Sequence, residues 1–125
     1  MVNQKPYSKE NYLKNFIDFT KLSHSAENSF PLSLNNESIQ HKLIKFTLAC
    51  KLRDRGHTVI IEAVLKNGLG RPDIVSIDQE GNGYIWEIIN TEKKESINKK
   101  IDNYPIDFDL NFIYCNKPLE EQIPL

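Results

Sequence analysis

The sequence predicts an α/β (α+β) fold, in which one mixed sheet carries helices packed on it. Three observations point there. A helical apolar repeat comes first; three β-branched runs separated by glycine-marked loops follow it; a second helical pattern then leads into a last alternating strand. At 125 residues the chain has the size of one domain with a modest core.

Ahead of that core, Tyr12, Leu13, Phe16, Ile17 and Phe19 recur at near-helical spacing between Ser8 and about Ser23, and the loop SHSAENSFPLSLNN follows. This reads as an N-terminal helix. The next helix is expected from about Glu37 to Arg55. Asn35 or Asn36 is its candidate cap, Ile39, Leu43, Phe46 and Cys50 repeat on one face, and Gly56 is its stop.

The run TVIIEAVL, Thr58 to Leu65, is rich in β-branched residues and reads as the first strand. Asp73 to Asp78 reads as the second, after the loop KNGLGRP, and the turn DQEGNG introduces a third from Gly83 to Asn90. Neighbours this close in sequence favour an antiparallel meander. Thr91 is placed to cap the helix TEKKESINKKIDN, with Ile97 and Ile101 inward, and Pro105 ends it before the strand Ile106 to Cys115. A strand reached through a helical crossover pairs parallel to an earlier one. The chain divides accordingly into an N-terminal helical extension, residues 1–34, a core, 35–116, and a C-terminal tail, 117–125.

A formal charge of −1 removes any blanket attraction to polyanions, so a nucleic-acid partner must be met by a local cluster of Lys and Arg. No apolar run approaches the roughly 20 residues that span a bilayer, and the polar start MVNQKPYSKEN lacks a signal-peptide core. A cytoplasmic protein without a membrane partner is the expectation. Cys50 and Cys115 have no metal-ligand spacing and read as buried thiols, with a disulfide as the alternative. His24, His41 and His57 form no ligand pattern, and KNGLGRP is not a phosphate loop.

Three acids stand out. Glu37 opens the long helix, Asp73 follows Pro72 at a strand start, and Glu87 interrupts the apolar run Tyr84-Ile85-Trp86-Glu87-Ile88-Ile89. A carboxylate leaving water needs a positive partner, a metal or a proton. Hard oxygen ligands from several element ends are what Mg2+ or Mn2+ requires. Simpler roles stand beside this: a helix-dipole acid for Glu37, a turn hydrogen bond for Asp73, a salt bridge for Glu87.

Pro72-Asp73 on one strand, Glu87 on the next, a preceding helix opened by Glu37, and a following helix and strand together resemble the PD-(D/E)xK nuclease superfamily, which includes restriction endonucleases and archaeal Holliday-junction resolvases. The resemblance covers about Glu37 to Cys115. It implies a restriction-endonuclease-like core and hydrolysis of DNA phosphodiesters by a metal-activated water. The Mg2+ or Mn2+ would be held by Asp73, Glu87 and the main-chain carbonyl of Ile88, with Glu37 joining the site. A homodimer is implied in the same way.

One position departs from the pattern. The family's lysine lies two residues beyond the strand acid, and here that residue is Ile89. Lys66, Lys93 and Lys94 are the candidates to supply it from another element, and Lys93 is placed among the catalytic residues. The literal Glu92-Lys93-Lys94 follows the strand and reads better as a helix start. Lys66, Arg71, Lys94, Lys99 and Lys100 are the candidate contacts to a nucleic-acid backbone, although the interleaved Glu92, Glu95 and Asp102 also fit a solvated helix face. The alternative function is a catalytically inactive domain of the same fold that binds nucleic acid or a protein.

Overall fold

The computed structural model describes residues 15–17, 38–89 and 94–123. The predicted helix start at Glu37, the N-terminal helix outside Asn15 to Ile17, the Thr91 cap and Lys93 lie outside these residues. Helix α1 spans Ile39–Asp54, strands β1, β2 and β3 span Thr58–Ile61, Ile74–Ile77 and Gly83–Ile89, helix α2 spans Lys94–Asn103 and strand β4 spans Phe108–Tyr114. The sheet order is β1-β2-β3-β4. The first three strands form the expected antiparallel meander, and β4, after its helical crossover, pairs parallel to β3.

Local chemistry sets the boundaries. Ser38, not Asn35 or Asn36, caps α1: its hydroxyl accepts from the His41 amide at 3.1 Å. Gly56, with φ of 87°, ends that helix as its sequence position implies. Strand β1 stops at Ile61 instead of running to Leu65, because Glu62 adopts a φ of 56° that no strand residue can hold. Asp78 closes the β2–β3 turn by accepting from the amides of Glu80 and Asn82.

Strand alternation sorts the core into two layers. Val59, Ile61, Ile74, Trp86, Ile88 and Ile113 pack under α1 with Leu48, Ala49 and Leu52. On the other side Ile60, Val75, Ile77, Ile85 and Phe108 pack with Ala63 and Leu65. Ile17 of the N-terminal extension is buried in this second layer, bridging to Leu65, and Phe16 meets Phe108 edge-on at 5.1 Å. The tail is also packed: Ile123 enters the first layer, and the Gln122 side chain accepts from the Tyr114 amide and donates to its carbonyl.

Helix α1 turns the opposite face inward from the one its apolar repeat implies. Leu48 has no exposed surface, whereas Ile39 is 75% exposed, Leu43 60% and Phe46 48%. The buried stripe is Lys45, Leu48, Ala49 and Leu52, three of them apolar and one a lysine. Cys50 shares the outer face and is exposed, correcting its reading as a buried thiol; both cysteines are free. On α2, Ile101 is half exposed where an inward position was expected. No helix among the described residues is long and apolar enough to cross a membrane.

The inversion of α1 is testable with two identical substitutions. Leu48→Ala is expected to cost about 2–5 kcal/mol in urea unfolding, as buried leucines do, and Leu43→Ala less than about 1 kcal/mol. Equal losses would contradict the packing described.

Candidate functional site

The antiparallel register that sets Ile74 opposite Trp86 sets Asp73, one residue earlier, opposite Glu87, one residue later. Pairing also runs one residue past β1, where the Glu62 amide donates to the Asp73 carbonyl at 2.8 Å. Glu62, Asp73 and Glu87 therefore form one row across three strands, at the end of the sheet away from the β2–β3 turn. Strand β3 is interior, between β2 and β4, so Glu87 has neighbours on both sides.

The Asp73 and Glu87 carboxyl groups are near enough to shift each other's titration, and two acids so placed favour holding one proton between them. Glu87 is the better holder of that proton. Burial first, and then the charge on Asp73, push its carboxyl up to about 8, against the opposing effects of the Tyr104 hydroxyl and the Lys100 ammonium. Asp73 goes the other way. Burial disfavours its ionised form, but the adjacent His41 imidazole, the hydrogen bond from the Ile88 amide, the Glu87 carboxyl and the Lys45 charge outweigh burial and hold it below the ordinary carboxylate range.

These partners come from both layers. From α1, His41 Nε2 lies 3.4 Å and Lys45 Nζ 3.7 Å from Asp73 Oδ1. The Ile88 amide donates to Asp73 Oδ2 at 2.8 Å, fixing the carboxylate plane from the neighbouring strand. On the α2 side, the Tyr104 hydroxyl donates to Glu87 Oε1 and Lys100 Nζ lies 3.7 Å from Glu87 Oε2. Tyr104 reaches this position only because Gly70 backs it: a Cβ on Gly70 would stand 2.5 Å from the ring, and its φ of 138° suits glycine alone.

Of the residues singled out from the sequence, Asp73 and Glu87 are thus brought together, with Ile88 beside them through its amide. Lys100 belongs to the same site, its ammonium 3.7 Å from Glu87 Oε2. Lys66 starts a short 3-10 turn, Lys94 opens α2, and Arg71 and Lys99 are exposed. Glu37 and Lys93 lie outside the described residues. Ile89 is only 4% exposed, so the position two residues beyond Glu87 is packed.

Four residues escaped the sequence reading: His41, Lys45, Glu62 and Tyr104. Glu62 carried the same signal as Glu87, an acid inside a β-branched run, and Lys45 stands at helical spacing with Leu48, Ala49 and Leu52. Lys45 Nζ lies 2.5 Å from Glu62 Oε2, an ion pair in which the lysine is buried and the glutamate is 37% exposed. Two adjoining carboxylates on fixed strands are hard donors suited to a divalent cation that keeps several waters. Among the described residues, no three His, Cys, Asp or Glu side chains gather closely enough to hold a metal ion. Neither a protein-family model, nor a curated protein, nor a solved structure matches the chain.

The shared proton has a signature in stability. In EDTA, the folded chain keeps the Glu87 proton over a range, from about 4.5 to about 8, in which the unfolded chain has released it. Its contribution to stability is full below the ordinary carboxylate value and is lost as pH rises toward 8. Urea unfolding between pH 5 and 9 should show wild-type stability falling with pH and the Glu87→Gln variant much flatter. Parallel curves would rule out the shared proton.

Proposed function

We propose that the Asp73–Glu87 end of the sheet binds Mg2+ or Mn2+ and that the chain is a metal-dependent, nuclease-like domain hydrolysing DNA phosphodiester bonds. The observation that carries this reading is the pair of carboxyl groups opposed across β2 and β3. Side by side in a partly buried place, they need either a proton or a cation between them. A bound divalent ion would supply a water of lowered pKa and offset charge on the scissile phosphate.

The chain's own groups have defined tasks under this reading. The Ile88 amide and Lys45 orient Asp73 and keep it ionised; Tyr104 and Lys100 orient Glu87. Glu87 must lose its proton when a cation arrives, so metal uptake and proton release are coupled. Lys66, Arg71, Lys94, Lys99 and Lys100 would supply the local positive charge that a backbone phosphate requires in a chain of net charge −1, and of these Lys100 lies beside Glu87. A second reading, a binding domain without catalysis, is favoured by Ile89 alone, whose packed side chain can neither orient water nor offset charge.

Calorimetric Mn2+ titration in two buffers of different ionisation enthalpy is expected to show binding with about one proton released per ion near pH 7, and Asp73→Asn should abolish both. The companion assay incubates plasmid, branched and single-stranded DNA in Mg2+ and Mn2+. Cleavage lost with Asp73→Asn supports the enzyme; binding of metal without cleavage supports the second reading. No uptake at millimolar Mn2+ would discard the metal site.

For the DNA surface, Arg71→Glu and Lys99→Glu, both at exposed positions, should weaken binding and flatten the dependence of log K on log salt by roughly one unit for each phosphate that is no longer neutralised. An unchanged slope would move the surface elsewhere.

A further inference from the structure

At the β2–β3 turn, the end of the sheet opposite Asp73, a cavity of about 480 Å³ opens beside the C-terminal end of α1, a volume in the range of small-ligand sites. One wall is aromatic. The rings of His57 and Tyr84 lie 5.2 Å apart at 38°, and those of Tyr84 and Trp86 6.0 Å apart at 31°, so the three form one tilted row. Polar groups behind the row fix it. Ser76 accepts from Trp86 Nε1 at 2.9 Å and meets His57 Nδ1 at 3.0 Å, and the Tyr84 hydroxyl donates to Asp78 Oδ2 at 2.8 Å. Burial holds His57 below the ordinary imidazole value, so its ring is uncharged at neutral pH. Burial and then the Asp78 hydrogen bond push the Tyr84 phenol up to about 12, so the ring keeps its proton and leans its electron density on a carboxylate.

The lining around this wall is negative: Asp78, Glu80 and Asp109 stand against one guanidinium, that of Arg55. Asp78 is satisfied by its own turn. Glu80 and Asp109 are exposed, and their carboxylates have neither a hydrogen bond nor an ion pair among the described residues. Asp109 is the register partner of Tyr84 across β3 and β4, which puts its carboxylate on the same face of the sheet as the phenol ring. Among the described residues no three side chains gather closely enough here to hold a metal ion. An aromatic face edged by free carboxylates is instead suited to an organic cation.

We propose that this cavity binds a guanidinium group, the arginine side chain of a partner protein, stacked on Tyr84 and paired through its edge with Asp109 and Glu80. A guanidinium is planar and weakly hydrated, lies flat on aromatic rings and presents a fork of donors to carboxylates; a compact, strongly hydrated ammonium matches neither surface as well. The inference does not depend on the nuclease reading, because the cavity shares no residue with the Asp73–Glu87 site.

The test titrates acetyl-arginine methylamide into the full chain, followed by calorimetry and by the fluorescence of Trp86, the chain's one tryptophan. Saturable binding with a Kd on the order of 1 mM is expected for a single stacked and paired side chain. The citrulline analogue, which keeps the shape without the charge, and the lysine analogue should each bind at least about tenfold more weakly. The double variant Glu80→Gln/Asp109→Asn, at two exposed positions, should unfold in urea as wild type does and bind the arginine probe about tenfold more weakly. Tyr84→Leu should weaken it similarly by removing the ring; if that variant fails to fold, the carboxylate variant and the citrulline analogue decide. Asp73→Asn is expected to leave the titration unchanged, so this site and the metal site fail separately. Equal affinity for the three probes, wild-type affinity in the folded double variant, or no saturable signal at about 50 mM probe overturns the site.

Discussion

Two carboxyl groups opposed across an antiparallel strand pair impose a choice on everything around them. Asp73 and Glu87 are adjacent because the β2–β3 register puts them there, and that register is enforced by the apolar alternation of Val75 and Ile77 against Ile85 on one face, and of Ile74 against Trp86 and Ile88 on the other. A slip of one residue would turn each of these side chains to the wrong layer. Core packing therefore holds two acids together at a cost that they would never meet in an unfolded chain. The surroundings respond asymmetrically: amide, imidazole and ammonium groups collect around Asp73, whereas Glu87 is left to burial, a tyrosine hydroxyl and a more distant lysine. One acid is held as an anion and the other is left to hold a proton.

Local costs elsewhere in the fold gather at the same place. Helix α1 gives up apolar contact by exposing Ile39 and Leu43 and by burying Lys45; β1 is cut short by the backbone of Glu62; the loop before β2 needs Gly70 so that Tyr104 can lie against it. Each departs from what the fold alone would choose. Where local choices conflict with global packing, natural chains commonly carry a function, and here the conflicts share one set of carboxylates.

Much of this was legible in the sequence and some was not, for definite reasons. The meander, the crossover to a parallel β4, the glycine stop of α1 and the pairing of Asp73 with Glu87 follow from period, turn chemistry and connection length, which are local signals. The face of α1 was misread because Ile39, Leu43, Phe46 and Cys50 form the more apolar repeat, and burial of the lysine stripe is decided by acids just after β1 and just before β2, outside the helix's own sequence. Glu62 was hidden by the assumption that TVIIEAVL runs as one strand; its positive φ, which depends on tertiary context, ends the strand there. Tyr104 and His41 carry no pattern at all, since their partners are set by how helices seat on the sheet.

A comparison within β2 separates the two ends of the sheet. Asp73 and Asp78 flank the same strand, and both are held below the ordinary carboxylate value against the effect of burial. Asp78 achieves this with donors from its own turn: the Glu80 amide, the amide and side chain of Asn82, and the Tyr84 hydroxyl, all between 2.8 and 3.0 Å. These are neutral groups supplied within six residues, and they leave the Asp78 carboxylate satisfied. Nearby, Ser76 is likewise satisfied, accepting from Trp86 Nε1 and meeting His57 Nδ1. Asp73 is held instead by groups from α1 and β3, one of them a buried ammonium, and it faces a second carboxyl group. A turn carboxylate needs none of that apparatus. Long-range charged support around an opposed acid pair creates a place where charge can change with protonation, while the strand between the two aspartates is held by its own ladder.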